Sequence, residues 1–335
     1  MIADLDLSFL NGKSLLVTGG TGTFGQAFIR YVAEHANPRR LIVFSRDELK
    51  QFEMQNIFQG ERYKCMRYFL GDVRDQARLE TAFSGVDYVV HAAALKQIVA
   101  AEYNPFECIQ TNVIGAQNIS MAAIRSGVQK VVALSTDKAA NPINIYGASK
   151  LASDKIFVAA NNISGGQTQF SVVRYGNVLG SRGSVVPFFK KMIAEGATSL
   201  PITHEEMTRF LITVQQGVEF VLSSLITMVG GELFVPKIPS MKIVNMAKAL
   251  APNLEHHIIG IRASEKLHEV MVTTDDARHT VEFEDRYIIL PEFSSSNCQD
   301  HYQQATKVQD GFVYSSNLNN EWLSEDGFLK LIEGT

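Results

Sequence analysis

A fold is indicated most strongly by Ser14-Leu-Leu-Val-Thr-Gly-Gly-Thr-Gly-Thr-Phe-Gly25. The first five residues form a short apolar run that predicts a buried strand. A glycine turn follows, and Phe28, Ile29 and Val32 then continue with helical spacing. A strand, a glycine turn and a helix in this order are the context of a dinucleotide-binding motif, whose glycines let a pyrophosphate approach the backbone. The predicted cofactor-binding residues of this turn are Gly19, Thr21, Gly22, Thr23, Phe24 and Gly25.

Further short apolar runs follow, and helical patterns separate them. They lie at Leu41–Ser45, Met66–Leu70, Asp87–His91, Val131–Ser135 and Phe170–Arg174. Strands that alternate with helices predict an α/β fold, a Rossmann-like doubly wound parallel sheet with helices on both faces. We expect residues 1–176 to form this domain and 211–236, with a strand at Glu232–Pro236, to rejoin it. Residues 177–210 and 237–335 are expected to form a smaller C-terminal substrate lobe.

Composition narrows the class of protein. The chain has 335 residues, of which 46% are hydrophobic, and a formal net charge of −4. This charge predicts no general affinity for nucleic acid or anionic membranes. The three cysteines, Cys65, Cys108 and Cys298, are too far apart for a zinc site or a disulfide framework, so we expect no metal. The same cysteine pattern indicates a reducing, cytoplasmic compartment. The N-terminus lacks a basic signal-peptide region and no run is long enough to span a membrane, so neither a signal peptide nor a membrane span is expected.

The second strand bears on the choice of cofactor. NAD enzymes usually carry a carboxylate about 20 residues after the glycines, where it binds the ribose 2′-hydroxyl. Here the strand ends in Ser45-Arg46, and Lys50 lies one helical turn further on. A hydroxyl and two cations suit a 2′-phosphate, which favours NADP. Asp47 is the counter-evidence, since its carboxylate would suit the ribose of NAD.

Other residues follow the strand ends on the predicted cofactor side. Asp72, before Val73, is predicted either to bind the adenine amine or to cap the helix Gln76–Phe83. Small Ala92 and Ala93 would let the backbone pack against the cofactor. Lys96 would meet a substrate anion or water, and Asn112 would brace the active-site strand or serve as a buried structural residue.

A set of reactive side chains follows the strand Val131–Ser135. Thr136, Asp137 and Lys138 come at its carboxyl end, the edge where parallel sheets bind ligands. Tyr146 and Lys150 are four residues apart in a helical pattern, so they lie on one face. An ammonium beside a phenol favours phenolate, which can take a proton from an alcohol. The alternative for a lone Tyr-x-x-x-Lys is an exposed helix turn.

The C-terminal half supplies candidate ligands for a nucleotide diphosphate. Cations there include Arg182, Arg209, Lys242, Arg262 and Lys266, and arginine makes bidentate contacts with phosphate. The alternative for each is a surface charge. We also predict helices at Phe188–Glu195, 214–228 and Lys242–Leu250, and a helix opened by residues 262–266 that carries His268 and Glu269.

The assembled motifs resemble the extended short-chain dehydrogenase/reductase family across nearly the whole chain. Within it, the chain is similar to the inverting UDP-N-acetylglucosamine 4,6-dehydratases of pseudaminic acid biosynthesis. The phrases that carry this similarity are Ser45-Arg-Asp-Glu-Leu-Lys-Gln-Phe-Glu53, Gly71-Asp-Val-Arg-Asp75, Ser135-Thr-Asp-Lys-Ala139, Tyr146-Gly-Ala-Ser-Lys150, Arg174-Tyr-Gly-Asn-Val178, Gly180-Ser-Arg-Gly-Ser-Val-Val-Pro187 and Met207-Thr-Arg-Phe210. Departures are Ser264, where the family usually has Gly, and Gln97-Ile-Val99, where it has His-Val-Pro.

This resemblance implies a lyase with tightly bound NADP and UDP-N-acetylglucosamine as substrate. The implied product is UDP-2-acetamido-2,6-dideoxy-β-L-arabino-hexos-4-ulose. It also implies a homo-oligomer, with a hexamer as one form. The implied substrate-binding residues are Lys96, Asn177, Arg182, Ser184, Thr208, Arg209, Lys242, Arg262 and Glu265.

The resemblance also implies roles for the catalytic residues. Tyr146, held by Lys150, and Thr136 would serve oxidation at C4 of the sugar. Lys138 would be the base at C5 and Asp137 the acid for the leaving 6-hydroxyl. Retaining dehydratases have Thr-Asp-Glu where this chain has Thr136-Asp137-Lys138. The Asp-Lys pair therefore distinguishes this chain from the retaining enzymes. Alternatives are a UDP-sugar 4-epimerase or reductase of the same fold and a non-catalytic NADP sensor, which often lacks the Tyr-Lys pair.

Overall fold

The computed structural model describes residues 5–181, 183–293 and 296–333. In this part of the chain, one large sheet has the strand order β16-β14-β15-β10-β6-β5-β4-β1-β2-β3. Its strands are β1 (Ser14–Thr18), β2 (Arg40–Ser45), β3 (Met66–Leu70), β4 (Tyr88–His91), β5 (Lys130–Thr136), β6 (Gln169–Tyr175), β10 (Leu233–Pro236), β14 (Thr280–Glu282), β15 (Arg286–Ile289) and β16 (Thr306–Lys307). Pairing is parallel from β3 to β10 and antiparallel beyond it.

Helices connect these strands in the alternating pattern that the sequence predicts. The first half contains α1 (Thr23–His35), α2 (Glu48–Ile57), α3 (Gln76–Phe83), α4 (Ile98–Tyr103), α5 (Pro105–Ile109), α6 (Gly115–Arg125) and α7 (Ile145–Ile163). A π-helical turn, Gln110–Ile114, joins α5 to α6. Asp47, Asp75 and Asn144 cap α2, α3 and α7, each accepting a backbone N–H three residues on.

Burial explains why the central strands read as continuous apolar runs. All five residues of β1 are buried, as are those of β4. Strands covered by helices on both faces have no polar side. The predicted doubly wound Rossmann-like fold is therefore confirmed. The strand expected at Glu232–Pro236 is Leu233–Pro236, and it lies in the large sheet, paired in parallel with β6.

A second apolar core is built from side chains between Leu179 and Ala251 together with Phe328 and Ile332, and it underlies only part of the remaining elements. The remaining elements are β7 (Asn177–Val178), α8 (Val185–Ala194), β8 (Ser199–Ile202), β9 (Thr208–Ile212), α9 (Val214–Thr227), β11 (Ser240–Lys242), α10 (Ile243–Leu250), β12 (Glu255–Ile258), β13 (Val270–Val272), α11 (Thr274–Ala277), α12 (Ser296–His301), β17 (Tyr314–Ser315) and α13 (Glu325–Glu333). Of these, α9 packs on α1. The division into two lobes stays a prediction, although β14, β15 and β16, expected in the smaller lobe, pair with the large sheet.

One local prediction is wrong. No helix begins at residues 262–266; the chain turns there and enters β13 at Val270. Arg209 explains the difference, because its guanidinium donates to the carbonyls of Lys266 and Leu267. These carbonyls would otherwise accept hydrogen bonds within a helix.

The described residues contain neither a membrane-spanning helix nor a metal site. No helix among them is both long enough and apolar enough to cross a membrane. Within the same ranges, no group of three or more His, Cys, Asp or Glu side chains is placed to hold a metal ion. Cys65, Cys108 and Cys298 are free thiols.

Candidate active site

A cleft of about 600 Å³ lies at the carboxyl edge of the parallel strands. It sits where the strand order reverses between β1 and β4, the position at which open α/β sheets bind ligands. Every residue predicted to bind the cofactor or to act in catalysis lines this cleft. They are Gly19, Thr21, Gly22, Thr23, Phe24, Gly25, Ser45, Arg46, Lys50, Asp72, Val73, Ala92, Ala93, Lys96, Thr136, Asp137, Lys138, Tyr146 and Lys150. Their individual roles stay predictions.

The glycine turn is shaped for close backbone approach. Gly19 has φ +66°, and a Cβ there would lie 2.8 Å from the backbone nitrogen of Ala93. A Cβ on Gly25 would lie 2.5 Å from Cα of Gly20. Side chains are excluded at both positions, and α1 begins at Thr23 with its N-terminus at the cleft. This arrangement fits the pyrophosphate of a dinucleotide.

The β2 end of the cleft carries two cations, Arg46 and Lys50, and each lies near a carboxylate. The Ser45 hydroxyl lies 3.0 Å from that of Thr21, and Lys50 pairs with Asp47 at 2.7 Å. The Asp47 carboxylate, which would suit the ribose of NAD, is already engaged because it also caps α2. Arg46 is half exposed and lies 3.6 Å from a carboxylate oxygen of Asp72.

Asp72 does not cap a helix. Asp75 caps α3, so that alternative for Asp72 is wrong. The Asp72 carboxylate instead accepts hydrogen bonds from the backbone and guanidinium of Arg74, at 2.8–3.0 Å. Asn118 on α6 donates to the carbonyls of Val73 and Arg74 and so fixes this loop.

Asp137 and Lys138 form an ion pair at the end of β5. They begin a short 3₁₀ turn, Asp137–Ala139. The Asp137 carboxylate accepts from the Thr136 hydroxyl at 2.9 Å and from the Lys138 ammonium at 3.0 Å. Asp137 is 1% exposed and the Lys138 side chain 20%, so the pair is buried on its carboxylate side.

The electrostatics of this pair differ from what the expected chemistry requires. Burial raises the pKa of Asp137, and Lys138 only partly opposes it. Burial works to lower the pKa of Lys138, but attraction to the carboxylates of Asp137 and Glu269 outweighs it and the pKa is raised. The first direction suits an acid. The second keeps Lys138 an ammonium ion, whereas a base at C5 must be a free amine.

Tyr146 and Lys150 project from the first two turns of α7 and are both buried. Burial raises the pKa of Tyr146 to about 12, while the charge of Lys138 and a hydrogen bond with Thr136 work against this rise. Lys150 donates to the carbonyl of Leu134 at 2.7 Å. Burial lowers the pKa of Lys150. Lys138 is therefore a cation that favours the phenolate, a role that the sequence assigned to Lys150 alone.

Two asparagines hold the loops of this site. Asn112, in the π-helical turn, bonds both backbone groups of Leu95 and donates to the Ser149 hydroxyl, each at 2.9 Å. It thus ties the loop after β4 to α7. Asn144, which the sequence analysis did not single out, caps α7 and donates to the carbonyl of Ser264 at 3.0 Å.

The predicted substrate-binding residues fall into two groups. Lys96, Asn177 and Ser184 line the cleft, whereas Arg182 lies outside the described residues. Thr208, Arg209, Lys242, Arg262 and Glu265 are not among the residues that line it. Lys242 pairs with Glu206 at 2.9 Å, Thr208 bonds His268 at 2.8 Å, and Arg262 is exposed.

Sequence reasoning missed Glu269. Its carboxylate lies 3.2 Å from the Lys138 ammonium and 3.7 Å from the Arg209 guanidinium. Because this segment was predicted to be a helix, Glu269 was not expected to lie near β5. Its position in Glu265-Lys-Leu-His-Glu269, beside predicted site residues, could have identified it as a candidate. Arg209 is buried by the same contacts and holds Glu265 at 3.7 Å.

A family model described as polysaccharide biosynthesis protein matches residues 15–291, which is most of the chain. The chain belongs to this family, Polysacc_synt_2. The family match covers the glycine turn, the catalytic stretch and the segment that carries Glu269.

Two curated relatives show what this Polysacc_synt_2 chain is similar to. It is 57% identical to a UDP-N-acetylglucosamine 4,6-dehydratase (inverting) of Campylobacter jejuni, over 97% of this chain and 98% of that protein. It is 40% identical to a UDP-glucose 4-epimerase of Rickettsia massiliae, over 88% of each chain.

Solved structures share the fold. Pen from Bacillus thuringiensis superimposes with a TM-score of 0.88 at 34% identity, covering 97% of this chain and 98% of that one. DesIV, a dTDP-glucose 4,6-dehydratase from Streptomyces venezuelae with NAD and TYD bound, gives a TM-score of 0.70 at 20% identity, over 87% and 97% of the two chains. The second likeness concerns the fold alone.

Proposed function

We propose that this protein is an inverting UDP-N-acetylglucosamine 4,6-dehydratase. The observation that carries the proposal is the ion pair of buried Asp137 with partly buried Lys138, 3.0 Å apart, in one cleft with Thr136, Tyr146 and Lys150. Oxidation at C4 needs only the last three groups, whereas removal of water across C5 and C6 needs an acid and a base as well. The 57% identity to a protein of that name supports the same conclusion.

NADP is the cofactor that we propose. The glycine turn fits a pyrophosphate, and Ser45, Arg46 and Lys50 offer a hydroxyl and two cations for a 2′-phosphate. Asp47 is engaged as the cap of α2 and in a 2.7 Å pair with Lys50. Bound there, NADP would supply a hydride acceptor for C4 of the sugar and a hydride donor for C6, so no net oxidation would result.

Tyr146 and Thr136 serve the oxidation at C4. The phenolate of Tyr146 takes the proton of the sugar 4-hydroxyl, and the Thr136 hydroxyl bonds the same oxygen. The charge of Lys138 favours phenolate over phenol, against the burial that raises the pKa of Tyr146 to about 12. Lys150, one turn along α7, is the second cation that we propose for this role. The ketone formed at C4 makes the proton at C5 acidic.

One proton transfer prepares Asp137 and Lys138 for the elimination. When the Lys138 ammonium gives a proton to Asp137 across 3.0 Å, the pair becomes a free amine and a carboxylic acid. A sugar that fills the cleft excludes water and so favours this neutral pair over the ion pair. The amine then takes the C5 proton and the acid protonates the leaving 6-hydroxyl, which restores the original ion pair. The Tyr146 phenol, which holds the proton taken from the 4-hydroxyl, then delivers a proton to the opposite face of C5, which inverts that centre and restores the phenolate.

The finer parts of the proposal follow from the resemblance and the relatives. The product is UDP-2-acetamido-2,6-dideoxy-β-L-arabino-hexos-4-ulose, and it serves pseudaminic acid biosynthesis in the cytoplasm. The enzyme works as a homo-oligomer, with a hexamer as one form. UDP-N-acetylglucosamine meets Lys96, Asn177 and Ser184 in the cleft, and Arg182, Thr208, Arg209, Lys242, Arg262 and Glu265 remain proposed ligands of its nucleotide.

The test is proton NMR of the purified protein with UDP-N-acetylglucosamine in D₂O. We expect a new C6 methyl signal, deuterium at C5, no net change in NADPH, and C5 couplings that report inversion. An unchanged spectrum with NADP(H) bound would refute the proposed substrate. A product epimerised at C4 that keeps its 6-hydroxyl would favour the second candidate, a UDP-sugar 4-epimerase, which the 40% identity to such an enzyme supports.

A further inference from the structure

Glu269 is a buried carboxylate that has no role in the reaction proposed above. It precedes β13, is 2% exposed, and does not line the cleft. Its Oε1 lies 3.2 Å from Nζ of Lys138 and 3.7 Å from Nε of Arg209. Its Oε2 is buried with no hydrogen-bond partner among the described residues.

The cost of burying this carboxylate calls for a compensating role. Breaking a buried ion pair is costly, but well-packed apolar side chains at such sites are often as stable as the pair itself. Stability alone therefore does not require a carboxylate behind Lys138. The charged groups that act on Glu269 are Asp137, Lys138, Arg209 and Lys266.

The backbone that carries Glu269 is fixed in place. Its N–H donates to the Ser316 hydroxyl at 2.9 Å, and Arg209 donates to the two carbonyls just before His268. The Lys266 ammonium donates to the carbonyl of Ala140 at 2.6 Å, which ties this segment to the turn that follows Lys138. The Glu269 carboxylate is thus held at a set distance from the base.

We propose that Glu269 is a positioning residue that holds the Lys138 side chain in place through the proton transfers. The inference rests on the proposed function, because it concerns the Lys138 step of that reaction. Once Lys138 has given a proton to Asp137, their charge attraction is gone and the amine would be free to rotate. A neutral amine still has N–H donors, and Glu269 accepts one of them in either state. The amine therefore stays directed at C5.

Two substitutions test this role. Glu269→Ala removes the acceptor, and we expect kcat to fall about 100-fold, as for a reacting group displaced by about 1 Å, with KM changed less than about threefold. Glu269→Gln keeps an acceptor oxygen at the same reach, so about a tenfold loss is expected. In a Lys138→Ala background the further loss caused by Glu269→Ala should vanish.

The control is Glu232→Gln. Glu232 is also fully buried, but it bonds Ser171 and Tyr302, which do not line the cleft. We expect this substitution to lower the thermal stability and leave C5 deuterium exchange unchanged. Wild-type exchange rates in both folded Glu269 variants, or equal losses in the Lys138→Ala background, would overturn the inference.

A measurement without turnover separates this inference from the proposed function. Acetic anhydride labelling of Lys138, read by mass spectrometry across pH, reports the proton affinity of its amine. In Glu269→Gln, labelling should begin about one pH unit lower, because an opposite charge within about 4 Å shifts a pKa by at least that much. Unchanged labelling would overturn the inference alone. Shifted labelling in a protein that forms no C6 methyl product would overturn the proposed function, and with it the role at C5.

Discussion

Ser264 shows how one residue stores strain beside the site. Its φ is +66°, in the left-handed region, and its carbonyl accepts the hydrogen bond from Asn144 at the start of α7. The family that the chain resembles usually has glycine here, which adopts this φ without a Cβ clash. We expect Ser264→Gly to raise the free energy of unfolding by up to about 1 kcal/mol, because lost strain exceeds the added chain entropy.

Chemical denaturation of Ser264→Gly and of Asn141→Gly checks this. Asn141 also has a positive φ, +47°, but asparagine tolerates that region, so its replacement should change stability less. A less stable Ser264→Gly protein would contradict the argument.

Asp137 and Tyr146 are expected to fail at different steps. Asp137→Asn cannot protonate the leaving hydroxyl, and it cannot accept the Lys138 proton. It also removes the carboxylate charge that raises the pKa of Lys138, so the ammonium can lose its proton to solvent instead. We expect deuterium still to enter C5 while the C6 methyl product falls by about 10²–10⁴-fold, the usual contribution of a general acid. Tyr146→Phe should abolish both signals, since no 4-ketone forms. NMR in D₂O separates them, and equal loss of exchange and product in Asp137→Asn would count against the acid assignment.

Helix α7 holds Tyr146, the proposed catalytic tyrosine, against the Asp137–Ala139 turn, and Gly147 sets how closely they pack. A Cβ on Gly147 would collide with the carbonyl oxygen of Lys138. We expect Gly147→Ala to push α7 away from the turn and lower kcat by about 100-fold, in line with the cost of a 1 Å misplacement. Kinetics together with circular dichroism would show a folded protein with this defect.

Gly217 in α9 is the matched control. A Cβ there meets nothing within 4 Å. Gly217→Ala should keep full activity and gain about 0.5–1 kcal/mol of stability, because alanine restricts the unfolded chain more than glycine does. Comparable activity of the two variants would refute the close-packing argument for α7.

The elements that the sequence predicted well are those whose patterns are local. β1, its glycine turn and α1 are specified by adjacent residues, and α3 was predicted with its observed bounds, Gln76–Phe83. Residues 265–269 are different, because Arg209, some 57 residues earlier, satisfies their carbonyls. The pairing of β14–β16 with the large sheet likewise depends on partners that are distant in the chain.

The residues of the candidate site also divide into those predicted from local sequence and those that depend on distant contacts. Residues on strand ends and turns of the parallel sheet were placed in one cleft correctly, since the carboxyl edge of such a sheet gathers them. Proton affinities were not predictable. Whether burial or pairing governs Lys138 depends on Glu269, which lies 131 positions away and reaches Lys138 only through the tertiary fold.

A buried histidine at the centre of the sheet should make the stability of the protein sensitive to acid. His91 ends β4, bonds the Thr18 hydroxyl at 2.8 Å, and burial lowers its pKa to about 3. The unfolded chain, with an ordinary pKa near 6.5, binds this proton more readily, so stability is lost as pH falls from about 6.5 toward 3. The loss is about 1.4 kcal/mol per pH unit within that window. The free energy of unfolding of His91→Gln, measured by denaturation across pH, should fall less steeply than that of the wild-type protein by this amount. Equal pH dependence of the two proteins would contradict the argument.

Cofactor binding couples the cleft to the stability of the entire fold. A ligand that binds only the native state stabilises it by about 2.7 kcal/mol at 100 times its dissociation constant. We expect NADP to raise the Tm more than NAD at equal concentration, because Arg46 is half exposed and only loosely paired, at 3.6 Å, with Asp72. Arg46→Ala should weaken NADP about tenfold or more, the value of one charged hydrogen bond, and leave NAD nearly unchanged. Arg62→Ala, which removes a cation paired with Glu34 outside the cleft, is the control. Equal stabilisation by both nucleotides in the wild-type protein would mean that the cations at β2 do not meet a 2′-phosphate.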